Sequence, residues 1–148
     1  TGMLRLDRIL FTATHYPMNY GFIPRTYGDD RDPLDVLVLC SEAIEPMTLV
    51  RAYPIGVIRM KDGGMDDEKI IAIPYGDPTY IGYTDVEQLP AHIFAELQHF
   101  FTVYKHLEGK TTEVDEIGGP MEAVSIIEKC IAHYKEKFSL SALDRGEC

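Results

Sequence analysis

Short apolar or alternating runs fill the first part of the chain, and turn-forming residues separate them. Alternation with a period of two is typical of strands, because successive side chains of a strand point to opposite faces. The pattern predicts five strands: Leu4–Phe11, Tyr20–Ile23, Asp35–Cys40, Leu49–Met60 and Lys69–Pro74. Between the last two strands, Lys61–Glu68 contains Gly63-Gly64, which predicts a hairpin with a wide loop.

The pattern changes to helical spacing in the last part of the chain. A first helix is predicted within 89–109, with Pro90 suited to its first turn and Gly109 beyond its end. Its apolar positions are Ile93, Leu97, Phe100, Phe101 and Tyr104. A second helix is predicted within 118–138, with Pro120 near its start. Residues 139–148 have little pattern, and we interpret them as a fraying or disordered tail.

Short strands followed by helices predict an α+β domain built on a small barrel or a strongly curved sheet. No repeat, low-complexity segment or flexible linker divides the chain, so we expect one domain over 1–148. A chain of 148 residues with 45% hydrophobic residues can bury a core of its own.

The net charge of −10 argues against non-specific nucleic-acid binding, which relies on clustered lysine and arginine, and it is compatible with divalent cations. The three cysteines form no C-x-x-C pair, and we interpret them as free thiols in a reducing compartment. We find no signal-peptide pattern and no apolar run of membrane-spanning length. We therefore predict a cytoplasmic protein with no membrane partner.

The segment GDDRDPLDVLVLC places four aspartates, Asp29, Asp30, Asp32 and Asp35, within seven residues beside an apolar strand. Crowded carboxylates repel one another unless a cation compensates them, and hard divalent cations prefer carboxylate oxygens. An EF-hand is excluded, because the leucine, aspartate and serine that follow do not match its ligand positions. Metal binding and a solvated turn both stay open at this point.

A second acidic group lies in the hairpin, where Asp62 and Asp67 flank the Gly-Gly turn and strand pairing would bring them close together. Lys69 follows two residues after Asp67, on the same face of a strand. A single DDEK run is usually exposed to solvent. Two acidic sites at strand ends are more typical of a polynuclear metal centre for phosphoryl transfer.

Further polar candidates surround these carboxylates in the sequence. Tyr16 and Tyr20, four residues apart in HYPMNYGFIPR, could donate hydrogen bonds to an oxyanion, or could simply be core aromatics. Arg8 lies in an apolar strand, where a cation usually has an anionic partner. Tyr104 and Lys105 end the first helix, where a lysine can complement the helix dipole. The chain has no Gly-rich phosphate loop, no G-x-S-x-G and no H-E-x-x-H.

Four blocks, YPMNYGFIP, DDRDPLDVLVL, RAYPIGVIRMKDGGMDDEKIIAIP and HFFTVYKHLEGK, resemble the soluble family I inorganic pyrophosphatases in the same order and at similar spacing. The resemblance covers roughly Gly2 to Phe138. It implies a five-stranded OB-like β-barrel flanked by two C-terminal helices. It also implies an inorganic diphosphatase, a hydrolase of phosphate metabolism that uses Mg²⁺ to hydrolyse pyrophosphate to two orthophosphates.

The resemblance also implies roles for individual residues. Asp30, Asp35 and Asp67 would hold the activating metal, with Asp35 shared with a second ion. Asp62 and Asp67 would hold the metal that arrives with substrate. The general base would be Asp32. The remaining catalytic and phosphate-binding residues would be Tyr20, Arg8, Tyr16, Lys69, Tyr104 and Lys105. Several Mg²⁺ ions are expected per site, with Mn²⁺ or Zn²⁺ as substitutes.

Two departures from the family pattern lead to further expectations. Arg31 stands where the family carries a small, amide or acidic residue. Its charge could weaken metal binding, but we expect its side chain to point to solvent between two inward aspartates, Asp30 and Asp32. We also expect the chain to lack the family's N-terminal segment, which contributes strands, a phosphate-binding lysine and acidic residues.

By analogy, the helix carrying His99 and Phe101 predicts a homo-oligomer, with a hexamer favoured over a dimer. Three other functions stay open: a phosphohydrolase for another polyphosphate, an inactive chain that only binds metal or partners, and a calcium-binding structural module.

Overall fold

The computed structural model describes residues 3–8, 18–62, 64–107 and 114–144. Of the side chains, it describes those in 18–61, 64–100 and 116–139. The elements in chain order are β1 (Met3–Arg8), β2 (Met18–Phe22), β3 (Asp35–Leu39), β4 (Leu49–Asp62), β5 (Met65–Pro74), α1 (Ala91–Leu107), β6 (Val114–Gly118) and α2 (Pro120–Asp144). A short 3₁₀ turn, Val86–Gln88, precedes α1.

The strands form one sheet in the order β1-β2-β3-β5-β4-β6. β3 and β5 pair in parallel, and the other pairs are antiparallel. β1 pairs with β4 as well as with β2. The α+β class, with a sheet and two helices, is confirmed. The closure of the strands into an OB-like barrel stays a prediction.

Alternation along β3 and β5 divides the core between the two faces of the sheet. Leu37 and Ile71 belong to one buried cluster, which also contains Leu97 and Phe100 of α1. Val36 and Ile70, one residue earlier on their strands, belong to a second cluster with residues of α2. The two helices therefore cover opposite faces, and burial of both faces explains why β3 is apolar at nearly every position.

Two predictions about element bounds are corrected, and one strand was not predicted. The wide loop over Lys61–Glu68 is wrong, because β4 continues to Asp62 and β5 begins at Met65, with Lys61 paired to Asp66. Backbone hydrogen bonds between the polar ends of β4 and β5 hold this hairpin together, and such pairing does not depend on an apolar pattern. The short acidic strand β6, which joins β4, was not predicted. Finally, α2 passes Phe138 and reaches Asp144, so most of the predicted disordered tail is helical.

A turn after β5 carries Asp77, which is 6% exposed and connects the end of β5 to the end of β3. One carboxylate oxygen accepts hydrogen bonds from the Ser41 backbone N–H (2.9 Å), the Ser41 hydroxyl (2.7 Å) and the Cys40 thiol (3.4 Å). The other accepts from the backbone N–H groups of Thr79 (3.1 Å) and Tyr80 (2.9 Å). Burial alone would raise the pKa of Asp77, but these hydrogen bonds outweigh it and lower that pKa to about 2.

No helix in the described part of the chain combines the length and the apolar character needed to cross a membrane.

Candidate active site

The register of β3 and β5 builds the first part of the site. Asp35 and Lys69 are directly paired across the parallel ladder, and Asp67 lies two residues before Lys69, on the same face of β5. The Lys69 ammonium donates hydrogen bonds to Asp35 Oδ2 at 2.5 Å and to Asp67 Oδ1 at 2.9 Å. Lys69 is only 2% exposed. A buried lysine needs such partners, so two of the predicted metal ligands share one internal cation.

The loop before β3 supplies the second part of the site. It closes through hydrogen bonds from the Gly28 N–H to the Asp32 carbonyl (2.8 Å) and from the Arg31 N–H to the Gly28 carbonyl (3.1 Å). The Asp32 N–H donates to Asp30 Oδ1 at 3.2 Å. Arg31 has a φ of 68°, in the left-handed region that favours glycine. Arg31 and Asp32 are both exposed, which confirms the solvent position of Arg31 but not an inward Asp32.

A small cavity of about 10 Å³ brings the two parts together. Its lining includes three predicted metal ligands, Asp30, Asp35 and Asp67. It also includes Asp29, Asp66 and Glu68, which belong to the two acidic motifs but were assigned no role, and Lys129 and Cys130, which the sequence did not indicate. No motif marks Lys129 or Cys130, because their position depends on where α2 packs on the sheet.

Charges around the cavity are unevenly compensated. Burial raises the pKa of Asp30 above its ordinary value, and the carboxylates of Asp67, Asp32 and Asp35 add to this rise, against the hydrogen bond from the Asp32 N–H. Burial likewise raises the pKa of Glu68, while the charge of Lys129 opposes the shift. Burial, with the charge of Glu68, raises the pKa of the Cys130 thiol to about 11, so this thiol stays protonated at neutral pH.

The donor set fits a hard divalent cation, because carboxylate oxygens line a polar cavity in which Asp30 is undercompensated. Within the described side chains, however, no three histidine, cysteine or acidic groups already surround one point. Asp35 and Asp67 instead contact Lys69. Two of the three candidate metal ligands that line the cavity therefore already interact with an internal cation.

The other predicted residues are placed less completely. Tyr20 is buried, and its ring centroid lies 5.7 Å from the Lys69 ammonium. The backbone of Arg8 is in β1 opposite Tyr20, and Asp62 ends β4 opposite Met65. Tyr104 and Lys105 lie in α1. The side chains of these four residues, and all of Tyr16, lie outside the described part of the structure. Their roles stay predictions.

Comparison with known proteins bears on the origin of this site. A family model described as inorganic pyrophosphatase matches residues 1–135. The chain belongs to the inorganic pyrophosphatase family. This membership confirms the resemblance and the enzyme class, a hydrolase acting on pyrophosphate.

Individual pyrophosphatases show how much of the family's length the chain matches. It is 46% identical over 138 residues to soluble inorganic pyrophosphatase 2 of Chlamydomonas reinhardtii, covering 93% of this chain and 72% of that protein. A soluble inorganic pyrophosphatase of Solanum tuberosum is 47% identical, with 92% of this chain and 64% of that protein covered. The inorganic pyrophosphatase structure from Helicobacter pylori superposes with a TM-score of 0.78 at 40% identity, covering 87% of this chain and 78% of that one.

Proposed function

We propose that the chain hydrolyses inorganic pyrophosphate to two orthophosphates with the help of Mg²⁺. The observation that carries this proposal is the cavity in which the loop carboxylate of Asp30 meets Asp35 and Asp67 of the sheet. Membership of the pyrophosphatase family supports it. An acidic cavity alone would repel a polyanionic substrate, so a cation is needed to invert the local charge.

Asp30, Asp35, Asp62 and Asp67 would hold the cations through their carboxylate oxygens. When bound, Mg²⁺ would supply positive charge to the phosphate oxygens and lower the pKa of a nearby water. We infer several ions per site, with Mn²⁺ or Zn²⁺ as substitutes.

The chain's own residues would carry the proton and orient the substrate. Asp32 would accept the proton of the attacking water as the new P–O bond forms and the bridging P–O bond breaks. Its exposed position on a tight loop supports access to water. Tyr20 would donate a hydrogen bond from its hydroxyl, and Lys69 would turn its charge from the carboxylates to a phosphate oxygen. Phosphate contacts from Arg8, Tyr16, Tyr104 and Lys105 complete the proposal.

The test is phosphate release from pyrophosphate, measured with Mg²⁺ and with EDTA. We expect Mg²⁺-dependent release, and we expect Asp32→Asn to lower kcat by about 10²- to 10⁴-fold, the usual contribution of a general base. Glu45→Gln makes the same charge change at an exposed position and should leave the rate unchanged. Absence of release from a folded chain that binds metal would contradict the proposal. Faster release from tripolyphosphate or a nucleoside triphosphate would indicate another phosphohydrolase.

We further propose an OB-like closure of the strands, which the pairing of β1 with both β2 and β4 supports.

A cytoplasmic location is proposed because the Chlamydomonas relative is named a soluble enzyme. We also propose a homo-oligomer, with a hexamer preferred to a dimer. Light scattering on the purified protein would give its mass and decide between these states.

A further inference from the structure

The lining of the acidic cavity has one cationic residue among the side chains that the structure describes. Six acidic residues line it: Asp29, Asp30, Asp35, Asp66, Asp67 and Glu68. The single basic residue in this lining is Lys129, which α2 brings to the cavity beside the loop. A cation at this position reduces the negative potential that would attract any metal ion.

Lys129 interacts with acidic groups of two elements that line the cavity, the loop and β5. Its ammonium lies 3.3 Å from Asp29 Oδ2 on the loop, and this hydrogen bond raises the pKa of Lys129. Its charge also opposes the rise in the pKa of Glu68 on β5. The lysine is therefore charged at neutral pH and close to carboxylates from two elements.

The loop does not depend on Lys129 for its position. The Tyr27 N–H donates to the Cys130 carbonyl of α2 at 3.0 Å, and the Gly28–Asp32 hydrogen bond closes the turn itself. The side chains of Lys129 and Asp29 are 50% and 41% exposed, and exposed ion pairs of this kind contribute about 0–1 kcal/mol. A neutral side chain at position 129 should thus remove a charge without moving the carboxylates.

We propose that Lys129 sets the divalent-cation affinity of the acidic cavity by opposing the binding of the positive ion and by occupying Asp29. The inference rests on the metal site of the proposed function and assigns this lysine a role that no motif indicates. Its effect is to keep the affinity low enough for the ion to exchange. Without it, the same carboxylates would bind the metal more tightly and release it more slowly.

The experiment measures Mn²⁺ binding to the full chain by the loss of the free-ion EPR signal, with no substrate present. Lys129→Gln should lower the Kd for Mn²⁺ by about three- to tenfold at low salt, and by less at high salt, as expected for a charge at short range. Lys129→Arg keeps the charge and should stay within about twofold of wild type. Lys135→Gln is the matched control, because it removes an exposed charge from the same helix but lies outside the cavity lining.

Three results would overturn the inference. One is an unchanged or weaker affinity in Lys129→Gln with an unchanged melting temperature in EDTA. The second is an equal gain in Lys135→Gln, which would indicate a general effect of net charge. The third is that the wild-type chain binds no Mn²⁺ at millimolar concentration. That result would also contradict the metal dependence of the proposed function. The first two results leave that function intact, so the two failures are distinguishable.

Discussion

Asp77 and Asp30 are both carboxylates on turns beside the core, but the protein stabilises the ionised form of Asp77 and disfavours that of Asp30. Asp77 accepts five hydrogen bonds, and its pKa falls to about 2. Burial and the nearby carboxylates raise the pKa of Asp30, against the one hydrogen bond that it accepts within the described part of the chain, from the Asp32 N–H. A carboxylate whose charge is fully satisfied by the chain holds structure together. One that is left undercompensated has capacity for an external cation.

The largest expected effect comes from Lys69→Met. This change removes the ammonium that compensates Asp35 and Asp67, so their charges would be poorly compensated, as that of Asp30 is. Removing one partner of a buried ion pair typically costs about 3–5 kcal/mol, so we expect a loss of that size in urea unfolding at neutral pH. Added Mg²⁺ should restore part of it. Lys129→Met breaks the exposed pair with Asp29 and should cost about 0–1 kcal/mol. Similar losses in the two variants would contradict the distinction between the two regions.

The substitution Asp77→Asn tests how much the hydrogen-bonded carboxylate of Asp77 contributes to stability. We expect the free energy of unfolding to fall by about 2 kcal/mol at pH 7, because hydrogen bonds to a charged acceptor are strong. Asp85→Asn, at an exposed helix cap with a hydrogen bond from the Glu87 N–H, should cost less.

The pH dependence of the same variant has a defined sign. Because the folded-state pKa of Asp77 lies below its ordinary value of 3.8, its contribution is complete above that pH and is lost as pH falls towards about 2. The stability difference between wild type and Asp77→Asn should therefore shrink between pH 4 and pH 2. A constant difference over this range would show that the ionised form of Asp77 is not the stabilising one.

Asp30→Asn should have the opposite sign. The amide oxygen can still accept from the Asp32 N–H, while one of several repelling charges is removed, so we expect a gain of about 0.5–1 kcal/mol without metal. The stabilisation that Mg²⁺ gives to wild type should become smaller. Both effects can be read from thermal unfolding with EDTA and with Mg²⁺. Glu45→Gln is the control for the change in net charge. An equal gain of stability in that variant would show that the effect is not specific to Asp30.

An effect as small as that of Asp30→Asn is expected for Arg31→Gly, beside Asp30. Left-handed backbone is unfavourable for a side-chain-bearing residue, while glycine costs entropy, so we expect a net gain of about 0.5–1 kcal/mol. Arg25→Gly is the comparator, because Arg25 has a φ of 58° but lies outside the cavity loop. A loss of stability only in Arg31→Gly would show that the guanidinium compensates the neighbouring carboxylates.

The sequence predicted the parts of the molecule that depend on local periodicity. β3 and both helices follow from apolar spacing, and the acidic residues that meet in the cavity follow from their motifs. The position of Lys129 was not predictable, because it depends on the packing of a helix about a hundred residues after the loop. The pairing of Lys69 with Asp35 depends on a parallel ladder that no local pattern specifies. The role of Asp77 was not predicted, since its partners are mostly backbone groups that no motif marks.

The ladder between β3 and β5 has a consequence for how the chain folds. The paired residues 36–38 of β3 and 70–72 of β5 are all apolar, so hydrophobic burial alone distinguishes poorly between the native alignment and one shifted by a residue. A shift of one residue would place Lys69, together with Asp67, on the face packed by α2 and away from Asp35. The ammonium would then lose its contact with Asp35 while it stays buried, at a cost of several kcal/mol. We therefore expect Lys69 to destabilise misaligned strand pairing during folding. If so, refolded Lys69→Met protein should show additional amide NMR signals from misaligned forms.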